Sequence, residues 1–363
     1  MSPRLAVLGT VVQLELRQRI RSVSWLVLVS VVFVLVGIVT ALLWFALPAF
    51  GDDDLASAGI YSTLIFFVLL IGSLVTPATS GAAINGDRDA GTLATTQVTL
   101  VTTTQLVFGK FLAAWTVSLT FLAASVPAML FTVIVGDVRV DTLIASLGVL
   151  VLLLGVVAAV GVGASALITR PLFSVVTTYL VVAALSIGTL IAFGLGSLAA
   201  QTTVSYTYTP LNYDESVLDE ETGRWTTIVC DEPQVQSFEV PRTDRVWGFL
   251  AANPYVVLAD ASPPAWDRNG NPVDLFGSIA FVVRAAQQPP EAPSGYDECA
   301  DARGEWSVEW EQGPTPQEIY DASVPSWFVG LAIHLVLGGA ALAAAIARTR
   351  TPAASLPRGS RVA

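Results

Sequence analysis

The sequence predicts a mainly α-helical membrane protein that crosses the bilayer six times. Its 363 residues are 53% hydrophobic and only 13% charged, which is more apolar than a soluble protein of this size allows. Long runs nearly free of charge follow one another, and each has about the 20 residues that a helix needs to cross a hydrocarbon core. These runs show no alternation of apolar and polar residues, so we expect helices and not the strands of a barrel.

The apolar runs define the predicted spans. Each must be helical, because in lipid every backbone amide needs a partner within its own segment. The first run is too long for the core of a signal peptide and no A-x-A pattern follows it, so we expect it to remain in the mature protein. The runs cover residues 25–48, 60–84, 107–135, 143–169, 172–199 and 326–347.

Basic residues predict the orientation. If the N-terminus is cytoplasmic, the inner side collects nearly all Arg and Lys outside the long segment 201–324, whereas the short outer loops hold only Arg139. The preference for Arg over Lys, with abundant Ala, Val and Gly, favours a GC-rich bacterium. We therefore predict a multi-pass protein of a bacterial cell membrane with both termini cytoplasmic. The inner basic residues are Arg4, Arg17, Arg19, Arg21, Arg88, Lys110, Arg170, Arg348, Arg350, Arg358 and Arg361.

The segment 201–324, between spans five and six, is predicted to lie outside the cell. It carries most of the acidic residues, so the net charge of −11 belongs to it and does not indicate nucleic acid as a partner. Alternating apolar residues predict strands, and Thr222-Gly223 predicts a turn, so we expect a small β-containing domain. The alternating residues are Val204, Tyr206 and Tyr208, and Trp306, Val308 and Trp310.

Two apolar stretches of this segment, 245–261 and 273–286, are too short to span. They fit helices at the outer interface or the core of the outer domain, and both interpretations stay open. Cys230 and Cys299 also lie here, on the oxidising side, where they either form a disulfide or remain two buried thiols. A disulfide closing so long a loop would stabilise the segment by about 4 kcal/mol.

The chain offers little of its own for chemistry. It has no metal-ligand spacing, no nucleophile motif and no paired aspartates within the spans, so we expect it not to be an enzyme. His334 fits an interhelical hydrogen bond, and Lys110 is close enough to a span end to extend toward the surface. Gly109-Lys110 is followed by Phe111, so it fails the phosphate-binding loop pattern. Active transport would therefore take its energy from a partner.

The loop 85–106 is the longest predicted cytoplasmic connection between spans. Asn85 or Asp87 can cap a short helix, and Asp87 and Asp89 suit the positive end of its dipole. Gly91 would end that helix or allow close approach of the backbone. The threonines that follow suit a docking surface, although an ordinary solvated loop is the alternative.

The N-terminal residues 1–24 predict an amphipathic helix on the inner membrane surface. Apolar residues recur every three or four positions and the basic residues lie largely off that stripe. The stripe consists of Leu5, Leu8, Val12, Leu16 and Ile20.

The stretch "DRDAGTLATTQVTLVTTTQLVFGKFLAAW" resembles the segment after the second span of ATP-binding-cassette (ABC) type-2 permeases, whose pattern is E-R-x-x-G-T-L, a short helix and a G-K pair. Asp87 replaces the usual Glu, and Thr102 and Thr103 stand where a proline is common. "ELRQRIRS" at 15–22 resembles the basic run of the family's elbow helix. The matching residues of the loop are Arg88, Gly91, Thr92, Leu93, Gly109 and Lys110.

The resemblance implies a permease subunit of an ABC exporter that pairs with a second copy or a homologue and with separate cytoplasmic ATPase subunits. The loop would be a coupling helix, in which Asp87, Arg88 and Asp89 form charge pairs with the ATPase and Gly91 and Thr92 shape the contact. Neither a cofactor nor a metal would bind to this chain directly, and ATP and Mg²⁺ would bind to the partner ATPase. The elbow helix would carry Glu15, Arg17, Arg19 and Arg21. The alternative is a non-transporting membrane protein whose outer domain binds a partner or an envelope polymer.

The predicted organisation follows from these expectations. Small residues would allow close helix packing in the bundle or in a dimer; they are Gly161, Gly163, Ala164, Ser165, Gly194 and Gly196. The predicted regions are an elbow helix 1–24, spans one to five at 25–200, an outer domain 201–324, a sixth span 325–348 and a cytoplasmic tail 349–363.

Overall fold

The structure of the protein, a computed structural model, is mostly helical with a small region of sheet. It describes residues 3–46, 53–91, 101–135, 138–219, 222–292, 295–304 and 314–350.

Six helices among the described residues are long and apolar enough to cross a membrane. A separate helix precedes them and a short one follows the second, as the sequence predicts. The first elements are α1 Pro3–Ile20, α2 Val23–Ala46, α3 Asp53–Ser80, α4 Asn85–Asp89, α5 Thr103–Val135, α6 Val140–Leu167, α7 Pro171–Ala183 and α8 Thr189–Ala199, and the last helix is α14 Trp327–Thr349.

Helix α6 lies at the centre of the bundle, where it contacts α3, α5, α7 and α14. A Cβ at Gly161 would collide with the Ser80 hydroxyl of α3, and one at Gly163 would lie 2.7 Å from the Ala341 Cβ of α14. The predicted close packing is therefore confirmed at these two glycines. Gly194 has nothing within 4 Å of such a Cβ, so it makes no close contact within the described bundle, and close packing of Gly194 in a dimer stays a prediction.

The fifth long helix, Pro171–Ala199, is continuous as the sequence predicts, but it contains a π-helical turn. A π-helical turn, Ala184–Gly188, separates α7 from α8. Such a turn shifts the backbone hydrogen-bond pattern. In this protein a side chain from another element forms hydrogen bonds at the turn. The Asn253 amide donates to the Ser186 carbonyl at 2.6 Å and to the Thr189 hydroxyl at 2.9 Å.

A small sheet follows α8 directly. Strands β4, β1 and β5 form one sheet in that order, and β2 pairs with β3 across a turn at Gly223, whose φ is +66°. This is the turn that the sequence predicts. The strands are β1 Gln201–Thr209, β2 Val217–Asp219, β3 Arg224–Thr227, β4 Gln234–Pro241 and β5 Tyr296–Asp297.

The predicted alternation of β1 is confirmed. Val204 is buried, Tyr206 and Tyr208 are half-buried, and the residues between them are exposed. The second predicted stripe lies outside the described residues; it comprises Trp306, Val308 and Trp310.

Two helices between β4 and β5 complete the bundle core. Val257 and Leu258 of α10 and Phe276 of α11 join one apolar cluster with Leu64 and Ile65 of α3. The stretches 245–261 and 273–286 therefore pack against the long helices and not in a separate outer core. The remaining helices are α9 Trp247–Ala251, α10 Pro254–Ala261, α11 Leu275–Ala285, α12 Glu298–Ala302 and α13 Pro316–Ala322.

The bundle has two distinct ends. We call the end that carries α1, α4 and the C-terminus of α14 the basic end, and the opposite end, where β1 begins, the sheet end. Hydrogen bonds fix α10 and α11 to the long helices at the sheet end. The Leu275 amide donates to the Ser62 hydroxyl at 3.0 Å, and the Thr142 hydroxyl donates to the Pro263 carbonyl at 2.9 Å.

Candidate functional site

A buried lysine connects three elements at the basic end. Lys110 of α5 is 1% exposed, and its Nζ lies 2.5 Å from Glu15 Oε1 of α1 and 2.5 Å from Asp87 Oδ2 of α4. The carboxylates keep some contact with water, since the Glu15 side chain is 18% exposed and that of Asp87 is 36% exposed. An ammonium so deeply buried needs such partners, because removing it from water otherwise costs several kcal/mol.

The residue before this lysine explains why α1 comes so close. A Cβ at Gly109 would lie 2.5 Å from Val11 Cγ1 of α1, closer than real side chains approach. Gly109 therefore lets the two helices touch at this turn, and Lys110 reaches Glu15 from the next position. In this G-K pair, Gly109 allows the close approach of α1 and Lys110 supplies the cation of the ion pairs.

A second cation completes the cluster. Arg19 of α1 donates from Nη1 to the Thr79 carbonyl in the last turn of α3 at 2.6 Å. Burial lowers the pKa of the Arg19 guanidinium, and the nearby carboxylates of Glu15 and Asp87 act in the opposite direction. Two carboxylates and two cations are close to one another, so the formal charge of the cluster is zero.

A polar network fixes α4 to the rest of the bundle. The buried Asn85 side chain donates to the Ile168 carbonyl at 3.0 Å and to the Ser174 hydroxyl at 2.7 Å. The Ser165 hydroxyl donates to Asn85 Oδ1 at 2.9 Å and accepts from the Ile84 amide at 2.8 Å. The expectation that Asn85 or Asp87 caps this helix is wrong, because Ile84 holds the cap position and makes no side-chain capping bond.

The predicted coupling residues divide into two groups. Asp87 turns into the bundle and pairs with Lys110, whereas Arg88 is half-exposed and Asp89 is exposed. Gly91 follows the end of α4 with a φ of +69°, a left-handed conformation that glycine adopts without strain. Thr92 lies outside the described residues.

The predicted elbow residues divide in the same way. Glu15 and Arg19 belong to the cluster, while Arg17 and Arg21 are exposed. The expectation that Lys110 extends to the surface is wrong, because carboxylates from two other elements meet it inside the protein. Two signals point to this pairing: Lys110 is the only lysine of the sequence, and Glu15 is the only acidic residue before Asp52.

His334 makes a different bond from the one expected. Its Nδ1 lies 2.8 Å from the Gly330 carbonyl of the same helix, so this contact is not interhelical. The ring is buried, with 3% exposure.

The outer sheet region contains a polar cleft of about 710 Å³. Cys230 and Cys299 form a disulfide beside it, with Cα atoms 5.9 Å apart. The Tyr208 hydroxyl bonds to Glu298, which raises the pKa of Tyr208 to about 12. No group of three or more potential metal ligands occurs in the described part of the chain. Aromatic and acidic side chains line the cleft, among them Tyr213, Trp225, Tyr296, Glu298 and Asp301.

No family model and no curated protein matches this chain. The family resemblance of the loop and the elbow helix therefore remains a prediction based on their own residues.

Proposed function

We propose that this chain is the membrane-spanning permease subunit of an ABC exporter, driven by ATP hydrolysis on a separate cytoplasmic ATPase. It would work with a second copy of itself or a homologue. The observation that carries the proposal is the contact of Lys110 with both Glu15 and Asp87, because it links the loop after α3 to the elbow helix and to α5.

The linkage gives the loop a mechanical role. A push on α4 would reach α5 through Asp87 and Lys110, α1 through Glu15, and α6 and α7 through Asn85. Buried and mutually satisfied polar contacts transmit displacement better than a solvated loop, because each broken contact would leave a costly unpaired group. The ATPase would thereby shift the helices between inward-open and outward-open arrangements.

The same arrangement supports a cytoplasmic basic end. It holds Arg17, Arg19, Arg21, Arg88 and Lys110, while the sheet end holds the disulfide, a bond typical of the oxidising side. We place the protein in a bacterial cell membrane with both termini in the cytoplasm. A membrane-impermeant thiol reagent should label an Asp89→Cys variant in inverted vesicles and not in intact cells.

The proposed partnership is tested by complex formation with the ATPase that we expect a neighbouring gene to encode. Asp87 is a poor residue for that test, because its change would disturb Lys110 as well. The double variant Arg88→Glu, Asp89→Arg reverses the two outward-facing charges of α4 and should weaken co-purification and ATP turnover. Arg348→Glu, an exposed change at the same end on α14, serves as the control.

The result that would contradict the assigned contact is unchanged complex formation and turnover in the double variant. Failure to find any ATPase that binds the wild-type chain would contradict the exporter itself.

One observation favours a second candidate, a non-transporting protein that binds a partner or an envelope polymer. The outer cleft of about 710 Å³ combines aromatic faces with carboxylates, groups that bind sugars and peptides. Binding of envelope fragments to the full chain in the absence of an ATPase, lost on Trp225→Ala, would support it.

A further inference from the structure

An apolar groove of about 790 Å³ opens on the side of the bundle. It lies between α3, the fifth helix (α7 and α8) and the pair α10 and α11. Its floor is buried, as at Val256 and Val283, whereas its rim is exposed, as at Leu74, Ile187 and Val282. Its described lining contains no Asp, Glu, Lys or Arg, so an apolar molecule suits it and a charged group does not.

The polar groups of the groove are held in place. Asn253 bonds across it from the N-terminus of α10 to the π turn, and its Oδ1 accepts from the Tyr255 amide at 2.9 Å. The Tyr179 hydroxyl of α7 donates to the Leu74 carbonyl of α3 at 2.6 Å. These bonds join all three walls, so the groove is a built feature and not a gap that side chains can close.

A narrow crevice continues from the groove into the bundle. It has a volume of about 20 Å³, and it shares Ser73, Ser186 and Tyr255 with the groove. His334 of α14 lies along it. A space of this size holds about one water molecule or one hydroxyl group.

His334, which lines the crevice, has an unused acceptor. A carbonyl oxygen only accepts, so the contact with Gly330 places the proton of the neutral ring on Nδ1 and leaves Nε2 as an acceptor. Nε2 is buried and has no hydrogen-bond partner within the described part of the chain. Leaving a buried acceptor unpaired is costly, so this atom indicates a ligand that brings a donor.

We propose that the groove and the crevice form one binding site for an uncharged amphiphile. Its apolar body lies in the groove, and its hydroxyl enters the crevice and donates to Nε2 of His334. A second copy of the chain covering the groove would bury the apolar rim and leave Nε2 without a donor. Binding requires no ATPase, so the proposal stands apart from the proposed export.

The test compares two probes with one apolar body. Dodecan-1-ol with a mid-chain diazirine carries the donor, and its methyl ether lacks it. Each is photo-crosslinked to the full-length protein in lipid nanodiscs, and mass spectrometry maps the labelled residues. We expect saturable labelling around Ile279 and Val282 by the alcohol, with an apparent affinity about tenfold higher than that of the ether, as one well-formed hydrogen bond gives.

Substitutions at His334 test the acceptor. His334→Leu should make the alcohol and the ether bind equally, and His334→Gln, which keeps an acceptor, should retain part of the difference. Equal binding of both probes to the wild type, or a preference that survives in His334→Leu, overturns the proposal.

A second variant leaves His334 untouched. Val282→Trp places a bulky ring at the groove rim and should abolish labelling by both probes. Leu195→Trp, equally lipid-facing on α8 but outside the groove, should not. Labelling that persists in Val282→Trp overturns the proposal, as does a wild type that dimerises through this face and takes up neither probe.

Discussion

The carboxylate of Asp260 and the guanidinium of Arg284 form a buried ion pair at the sheet end, with Nε 2.6 Å from Oδ1. The other oxygen, Oδ2, accepts from the amides of Ser326 and Trp327 at the start of α14, at 2.5 and 2.9 Å. Arg284 also donates to the Tyr320 carbonyl at 2.9 Å, and its guanidinium lies over the aromatic ring of Tyr320. One pair thus joins α10, α11, α13 and the last long helix.

Loss of this pair should be strongly destabilising. Asp260→Asn leaves Arg284 buried without a counter-charge and weakens the cap of α14, so we expect a loss of about 3–5 kcal/mol in the free energy of unfolding. Thermal unfolding of the purified protein measures it. Arg139→Gln breaks the exposed pair with Asp141 and should leave the midpoint unchanged. Equal effects of the two substitutions would refute the assignment.

Lys110→Met should destabilise the basic end. It leaves two carboxylates close together without their shared cation, and we expect a loss on the order of 2–3 kcal/mol, since Glu15 and Asp87 keep partial access to water. Adding Glu15→Gln should recover part of it, because the repulsion is then removed. A double-mutant cycle on unfolding measures the coupling, and additive effects would argue against the contact.

Gly109→Ala should loosen the contact between α1 and α5. The new Cβ would lie 2.5 Å from Val11 Cγ1, and strain of this kind costs about 1–3 kcal/mol. Gly37→Ala on α2 is the matched control, because its Cβ would meet nothing within 4 Å. Faster proteolysis within α1 for Gly109→Ala, and not for Gly37→Ala, is the expected result.

Asp274 should make stability depend on pH. Burial raises the pKa of its carboxyl from 3.8 to about 6, and the bond from the Gly277 amide only partly opposes this. The folded protein therefore holds the proton more tightly than the unfolded chain. The stabilisation is complete below about pH 4 and is lost as the pH rises through about 6, by about 2–3 kcal/mol.

Asp274→Asn isolates that contribution. Asparagine keeps the oxygen that caps α11 and does not titrate, so the variant should lose less stability than the wild type between pH 4 and 7. Unfolding midpoints across this range provide the comparison. Parallel pH profiles would exclude Asp274 as their source.

Replacing both cysteines should destabilise the outer sheet region selectively. The disulfide of Cys230 and Cys299 closes a loop with a sequence separation of 69 residues, for which chain entropy predicts about 4 kcal/mol. Hydrogen exchange of the paired variant Cys230→Ser, Cys299→Ser should increase in β1 to β5 and stay unchanged in α6. A uniform increase would instead show that the sheet region and the bundle unfold together.

The sequence by itself determined the local features. Long uncharged runs predict six helices, because backbone polarity and side-chain hydropathy act within one segment. The alternation in β1 and the turn at Gly223 likewise depend on only a few neighbouring residues. The short helix α4, Asn85–Asp89, was likewise predictable from the residues of its own loop. None of these required knowledge of a distant part of the chain.

Only the tertiary structure decided which distant groups meet. Lys110 pairs with Glu15 across 95 positions and Asn253 reaches Ser186 across 67, and no periodicity encodes such partners. Asp87, predicted to face a partner, turns inward because a buried ammonium lies within its reach. Hydropathy predicts which residues are buried. The packing of helices around α6 determines which buried charges pair with each other, and which buried acceptor, such as Nε2 of His334, has no partner within the described residues.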